Sequence, residues 1–240
     1  MVMWLFYAAL IAMLVTVIAE AAHQILLWRG RSTRWVWTMA LMLSVGLPAL
    51  LPLLPRKSAD ALQVPLDLVA TPLAAGDMPM VGAADPSWSL MSIVFAVWGA
   101  TSFLLLVYFL AGAIRLALLR RGWRPAELQN EQVLVSRDVG PAVVGILDPA
   151  IVVPEWFSSL PARAQRIALR HERQHIVSSD PLLIVATRLL PALLPWNAGL
   201  WYQHRRLRQS VELDCDARVL ASGLDPNAYA ELLLTVGEFV

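Results

Sequence analysis

The stretch His171-Glu172-Arg173-Gln174-His175 decides the fold and the chemistry predicted for this chain. Two imidazoles four residues apart, with a carboxylate directly after the first, form the HExxH pattern of zinc hydrolases. On a helix the two histidines rise by about 6 Å and sit roughly 40° apart around the axis, so both can face one ion. Zinc would lower the pKa of a bound water molecule, and Glu172 would take its proton. The pattern predicts a catalytic zinc site on a helix.

A third ligand is available on a second predicted helix, which begins near Val211. Glu212 and Asp216 lie one helical turn apart there. A zinc-bound histidine is usually held at its other ring nitrogen by an outer carboxylate, and Asp216 is well spaced for that role. Glu172 is the predicted catalytic base. The predicted zinc ligands are His171, His175 and Glu212.

Less specific interpretations of these residues stay open. An exposed helix face can carry the HExxH pattern by accident, although the chain has only four histidines and two of them lie here. Glu212 can be one more exposed charge, and Asp214 is a weaker competitor for the ligand position. Cys215, the single cysteine, excludes an internal disulfide and is expected to be a buried helix residue. Tyr202 and His204 are weak candidates for an oxyanion partner.

The composition indicates an integral membrane protein. Hydrophobic residues make up 58% of the chain and charged residues only 15%, and the apolar residues come in long blocks. Three blocks are long enough to cross about 30 Å of hydrocarbon. A cleaved signal peptide is the competing interpretation of the first block, but no basic residue precedes it. The predicted transmembrane helices cover residues 1–28, 35–54 and 88–119.

The distribution of arginines predicts the orientation. The short connection 29–34 has three arginines and no acid, and arginines also follow the third span, which places both on the cytoplasmic side. The connection 55–87 has two basic and four acidic residues, a net charge of −2, and is predicted to be extracytoplasmic. The zinc motif then faces the cytoplasm. An overall charge of +1 gives no indication of direct nucleic-acid binding.

Residues 120–240 are predicted to form the zinc protease domain. Three β-branched runs within residues 133–135, 142–147 and 151–153 are separated by Gly-Pro and Asp-Pro turns and predict a small antiparallel sheet. The edge of such a sheet can bind a substrate as an extra strand, or the sheet can be a plain structural hairpin.

The apolar segment 181–202 cannot be a simple fourth crossing. One traverse would separate His175 from Glu212 by about 30 Å, whereas the ligands of one zinc lie within about 2 Å of it. The segment is therefore predicted to be re-entrant, with a bend between Pro191 and Pro195, or to lie along the membrane interface.

Together these features resemble the bacterial membrane metallopeptidases of the β-lactam sensor-transducer and antirepressor type, which regulate penicillinase and methicillin-resistance genes. The resemblance covers about residues 1–235. It rests on the three early spans and on three stretches: Gly140 to Pro154, His171 to His175 with Asp180 following, and Glu212 to Leu220.

The resemblance implies a fold that is mainly α, with three transmembrane helices and a small α+β gluzincin-like zinc protease domain. It also implies a multi-pass protein of the bacterial cytoplasmic membrane, with the active site facing the cytoplasm. The implied substrate is a peptide or protein, either a transcriptional repressor or the chain itself, cleaved in response to an extracytoplasmic signal. The lipid bilayer is the other partner, and a homodimer stays open.

Two further interpretations stay open. The first is a non-proteolytic signal transducer with a structural zinc, and the second is a membrane protease of the CAAX-processing or heat-shock quality-control type. Family sensors append another span and an outer ligand-binding domain, and no penicillin-binding serine motif occurs in this sequence. Residues 237–240 end the chain inside a helical run, so the parent protein is expected to continue.

Overall fold

The computed structural model describes residues 2–50 and 90–237, with side chains for residues 3–50 and 90–231. The predicted connection 55–87 and the last four residues of the second predicted span lie outside these residues. Within the described residues the helices are α1 Val2–Trp28, α2 Arg34–Leu50, α3 Leu90–Arg120, α4 Ala162–Val177, α5 Asp180–Leu193, α6 Ala198–Ala221 and α7 Pro226–Gly237. The strands are β1 Arg124–Leu128, β2 Glu131–Ser136, β3 Ala142–Val144 and β4 Ala150–Pro154.

Two helices of the described chain, α1 and α3, are long and apolar enough to cross a membrane. Their side chains are mostly exposed, as lipid contact requires. The apolar helix α2 has only 17 residues in the described part. The helices α4 and α5 together also pass as one bent span, with an angle of 57° between them. The chain is therefore a membrane protein, and the count of three spans stays a prediction.

The helices α5 and α6 form an antiparallel hairpin. At its base Asp180 lies 3.4 Å from Arg218, and further along Thr187 Oγ1 lies 3.4 Å from His204 Nδ1. The turn covers residues 194–197, close to the bend predicted between Pro191 and Pro195. The two helices are longer than the two halves of the predicted segment 181–202, because α5 has 14 residues and α6 has 24.

The first half of α6 is buried between α1 and α2. The fully buried Gln203 donates from Nε2 to the carbonyl oxygen of Ala12 at 3.1 Å and to Ser44 Oγ at 2.9 Å. Polar contacts of this kind hold helices together where water is absent. The re-entrant or interfacial position of the hairpin in the membrane stays a prediction. The apolar residues of this core are Ala19, Trp37, Ala40, Leu41, Leu200, Leu207 and Val211.

Three tryptophans mark the tip of the hairpin. The ring of Trp196 lies 6.4 Å from that of Trp4 and 6.0 Å from that of Trp98, between centroids. The indole nitrogen of Trp98 also donates to the carbonyl oxygen of Leu193 at 2.7 Å, which satisfies a backbone group at the end of α5. Because Trp4 is in the first turn of α1, the hairpin extends along most of the length of that helix.

The sheet is mixed, with the strand order β1-β2-β4-β3. The pairs β1/β2 and β3/β4 are antiparallel, but β2 and β4 are parallel, so the predicted all-antiparallel sheet is wrong. After β2 the chain forms β3 at the far edge of the sheet, and β4 then lies between β2 and β3. The predicted strand 142–147 is also too long. Gly145, with φ of 110°, turns the chain after Val144 and leaves Leu147 exposed.

A second core joins the sheet to the helices that follow it. β4 packs against α4, and α4 packs against α6 and α7. Because α6 contributes to both cores, the residues of the predicted protease domain 120–240 are not separate from the membrane helices. The buried apolar residues of this core are Val133, Ile151, Val153, Phe157, Leu160, Ile167, Ala168, Leu169, Cys215, Val219 and Tyr229.

Candidate metal centre

The helix α4 brings its two histidines together with their rings nearly perpendicular, at an interplanar angle of 79°. Ile167 and Leu169, in the part of α4 that precedes the histidines, are buried in the core that also contains residues of α6. His171 and His175 follow one turn apart, and their Nε2 atoms lie 3.1 Å from each other. This spacing is the one expected of two nitrogens that bind the same ion, because donors about 2.0–2.1 Å from a tetrahedral zinc lie about 3.3 Å apart.

Glu212 of α6 supplies a third donor on the same side. Its Oε2 lies 3.7 Å from the Nε2 of His171 and 3.5 Å from the Nε2 of His175. All three distances between these donors are therefore close to those of a tetrahedral site with one open position. The Glu212 side chain is 59% exposed, so a substrate can approach the donors from this side. The residues present fit a zinc ion.

The electrostatics of this cluster favour a cation. Burial alone would lower the pKa of His171, but contacts with Asp216, Cys215 and Glu212 outweigh it and raise this pKa above its ordinary value. The pKa of His175 is likewise raised, against burial, by Asp180, Cys215 and Glu212. The hydrogen-bonding contacts with both histidines lower the pKa of Glu212 to about 2. The negative field that holds a proton on the imidazoles also attracts a divalent metal.

Glu172 is buried beside the two histidines on α4. Burial raises the pKa of its carboxyl group above the usual range, while the nearby His171 and His175 oppose this shift. A carboxylate with a raised pKa accepts a proton more readily at neutral pH than an ordinary one. The environment of Glu172 thus suits proton transfer.

Asp216 and Tyr229 hold the outer side of His171. The Nδ1 of His171 lies 3.3 Å from Asp216 Oδ1 and 2.9 Å from the hydroxyl oxygen of Tyr229, which donates to Asp216. When Nε2 is a metal ligand, Nδ1 carries the hydrogen, and these acceptors fix the ring. Asp216 lies where the sequence analysis placed it. Tyr229 was missed because no spacing in the sequence connects α7 to α4.

Asp180 holds the outer side of His175. Its Oδ2 lies 2.9 Å from His175 Nδ1, and the side chain is only 1% exposed. The residue takes this position because Ser179, in the left-handed region with φ of 55°, starts α5 at a sharp angle to α4. The sequence analysis assigned no role to Asp180. Each histidine therefore has its own buried or half-buried carboxylate partner.

The sequence that forms these helices and the histidine cluster matches a family model. The profile of the family described as BlaR1 peptidase M56 covers residues 4–239. The chain belongs to this family. The resemblance predicted from the sequence is therefore confirmed, and it includes α1 as well as the residues of the metal centre.

Among known members of the BlaR1 peptidase M56 family, regulatory protein BlaR1 of Bacillus licheniformis is similar to this chain. The two are 28% identical in an alignment of 111 residues that covers 44% of this chain and 18% of the Bacillus protein. The match thus spans less than a fifth of that relative's length.

Cys215 is a competing third donor in this M56 family member. His171, His175 and Cys215 offer ligand atoms within 4.8 Å of one another. However, the contact of the Sγ atom with His171 is made at Nδ1, at 3.6 Å. Glu212 instead contacts the Nε2 atoms of both histidines, so these distances favour Glu212. The expectation that Cys215 is a buried helix residue agrees with its complete burial.

Three other candidates from the sequence have different neighbours. Asp214 turns away from the histidines and accepts hydrogen bonds from the backbone of Thr33 and Arg34, which excludes it as the third ligand in this geometry. Tyr202 donates to Glu20 of α1. His204 is buried inside the α5–α6 hairpin. Their positions give no support to an oxyanion role for Tyr202 or His204.

Proposed function

We propose that this chain is a membrane-bound zinc endopeptidase that cleaves a cytoplasmic protein, or itself, in a transmembrane signalling pathway. The observation that carries the proposal is the set of three donor atoms, 3.1–3.7 Å apart, beside the buried carboxylate of Glu172. His171, His175 and Glu212 would hold the ion. Membership of a peptidase family supports the same activity.

A bound zinc ion supplies Lewis acidity and lowers the pKa of water to near neutrality. Glu172 accepts a proton as the water oxygen attacks the peptide carbonyl carbon. The same carboxyl group then delivers this proton to the amide nitrogen as the C–N bond breaks, so Glu172 ends each cycle ionised. Asp216, Tyr229 and Asp180 keep the two imidazoles in one orientation and one tautomer throughout.

The free edge of strand β3 is suited to bind an extended peptide as the substrate. This strand is an edge strand, since within the described residues it pairs only with β4, and it packs against α4. A peptide that pairs with its free edge lies beside the helix that carries the histidines. A segment of the chain itself or of a repressor-like protein is the proposed target.

Two alternatives receive less support. A structural zinc is usually closed by four protein ligands, and the candidate for the fourth is Cys215, whose sulfur contacts Nδ1 of His171 rather than forming part of the set of three donors 3.1–3.7 Å apart. A heat-shock or CAAX-processing protease is disfavoured because the M56 profile covers nearly the whole chain.

Metal removal tests the proposed activity. We expect the purified chain in detergent to contain one zinc per molecule and to cleave members of a pooled library of internally quenched peptides, or itself. Chelation with 1,10-phenanthroline should stop cleavage, and one equivalent of zinc should restore it, because the ion supplies the Lewis acid. Cleavage that continues in the metal-free protein would contradict a zinc peptidase. Bound zinc without any cleavage would favour the transducer.

We also propose that the metal centre faces the cytoplasm of a bacterial inner membrane. The arginines of the connection 29–34 support this orientation. In a Cys215→Ser background, an Arg31→Cys variant should react with an impermeant thiol reagent only after the membrane is permeabilised. A cysteine at Ala75, in the connection 55–87, should react in intact cells. Labelling of position 31 from the outside would reverse the orientation.

A further inference from the structure

The connection between α1 and α2, residues 29–34, contacts the helix that carries Glu212. The carboxylate of Asp214 accepts hydrogen bonds from the backbone nitrogens of Thr33 at 3.1 Å and Arg34 at 3.2 Å, and from Ser32 Oγ at 2.5 Å. Asp214 therefore satisfies the free N–H groups at the start of α2 and complements the positive end of its helix dipole. The α1–α2 connection is thus attached to α6, two residues from Glu212.

The same connection reaches the opposite side of the metal centre through a side chain. Arg34 Nη1 donates to Asp180 Oδ1 at 2.8 Å, and the other oxygen of Asp180 lies 2.9 Å from His175 Nδ1. Arg34 and Asp180 are 146 residues apart in the sequence. One carboxylate thereby joins a loop between two membrane helices to a candidate metal ligand.

The burial of Asp180 makes this contact energetically important. The side chain of Asp180 is only 1% exposed, and a buried carboxylate is destabilising unless cations and hydrogen-bond donors contact its oxygens. Arg34 is the nearer of two guanidinium groups, because Arg218 Nη2 lies 3.4 Å from Oδ2. Arg34 binds the oxygen that His175 does not use. It therefore determines the direction in which the second oxygen points at the imidazole.

On the basis of the proposed zinc site, we propose that Arg34 is a positioning residue for the metal centre. It holds Asp180, Asp180 holds His175, and the α1–α2 connection thereby sets the metal affinity. A displacement of the connection relative to α4 lengthens the contact between Arg34 and Asp180 and frees the His175 ring to turn. The affinity for zinc falls as a result. The membrane helices α1 and α2 thus have a direct structural link to a catalytic ligand.

Zinc affinity of the detergent-purified chain tests this role without reliance on catalysis. In competition with a chromophoric chelator, Arg34→Gln is expected to bind zinc about 10–100-fold more weakly, the loss that follows from removal of an outer partner. Arg31→Gln is the matched control, since Arg31 is exposed in the same connection, and its affinity should equal that of the wild type. The absorption spectrum of the Co²⁺-substituted protein should change in the Arg34 variant alone.

A double variant shows whether Arg34 acts through Asp180. If it does, Arg34→Gln combined with Asp180→Asn should bind zinc no more weakly than Asp180→Asn alone, because both changes break one path. Arg34→Lys keeps a cation beside Asp180 and should recover much of the affinity and the wild-type cobalt spectrum. Recovery in Arg34→Lys would show that the weaker binding of Arg34→Gln comes from lost positioning of Asp180 and not from misfolding.

Three results would overturn the inference. The first is a zinc affinity of Arg34→Gln equal to that of the wild type. The second is a loss of zinc affinity in the double variant equal to the product of the two single losses. The third is a zinc affinity of Arg34→Lys as low as that of Arg34→Gln. A failure of the proposed zinc site itself is distinguishable, because then the wild type and Arg31→Gln would also bind no zinc, and a failure of the proposed peptidase activity alone would leave these zinc affinities unchanged.

Discussion

Replacement of Glu172 by glutamine is expected to leave zinc bound and to slow peptide cleavage by about 10²–10⁴-fold, the usual contribution of a general base. Glutamine has nearly the same shape but cannot accept the proton of the attacking water. Glu172 is absent from the three donors that lie 3.1–3.7 Å apart, so the metal should stay. Single-turnover cleavage of a quenched peptide, with zinc content measured on the same sample, checks both parts.

Arg173→Gln is the matched control for this variant. Arg173 is the next residue of α4, but its side chain is exposed and its nearest acid is Glu131 at 3.8 Å. An exposed ion pair contributes little to stability, so cleavage should stay within a few-fold of the wild type. Wild-type turnover in Glu172→Gln would assign the base to another residue. Loss of zinc in Glu172→Gln would instead show that Glu172 supports the ligand set.

Replacement of Glu212 by alanine is expected to weaken zinc binding by more than about 100-fold, which exceeds the effect of removing an outer partner. The change removes one of three donors and also the acid whose contacts help to raise the pKa of both histidines. Elemental analysis and chelator competition provide the measurement.

Cys215→Ser separates the two candidate third ligands. Serine keeps a small side chain in the buried position but is a much poorer zinc ligand than a thiolate. We expect its zinc affinity to stay near that of the wild type, because the sulfur faces Nδ1 of His171. The opposite result, with zinc lost in Cys215→Ser and retained in Glu212→Ala, would make Cys215 the ligand and weaken the case for an open catalytic position.

The proximity of the proposed zinc donors was predictable from the sequence because it depends on local helix geometry. Residues four apart on α4 or α6 lie on one face whatever the rest of the fold does. This places His171 beside His175 and Glu212 one turn before Asp216. The prediction then needed only one assumption about tertiary structure, that the two faces meet.

The outer partners were not predictable because they depend on how distant elements pack. Asp180 reaches His175 through the sharp bend at Ser179, and Tyr229 reaches His171 only because α7 packs on α4. The sheet shows the same limit. Alternation of β-branched residues predicts strands but not which strands pair with each other. The strand β1 also contains Pro125, which a sheet tolerates there because β1 is an edge strand and the missing N–H does little harm.

The α6 helix connects the two ends of the molecule without a break. It begins at Ala198, beside the Trp196 cluster near the first turn of α1, and it is uninterrupted up to Glu212, about 21 Å away along its axis. An α-helix of this length has no internal joint. A sliding motion of the tryptophan end along the helix axis therefore displaces the backbone at Glu212 by a similar distance. Under the orientation we propose, this end faces the outside of the cell, so a movement there would be transmitted to a ligand of the proposed zinc site.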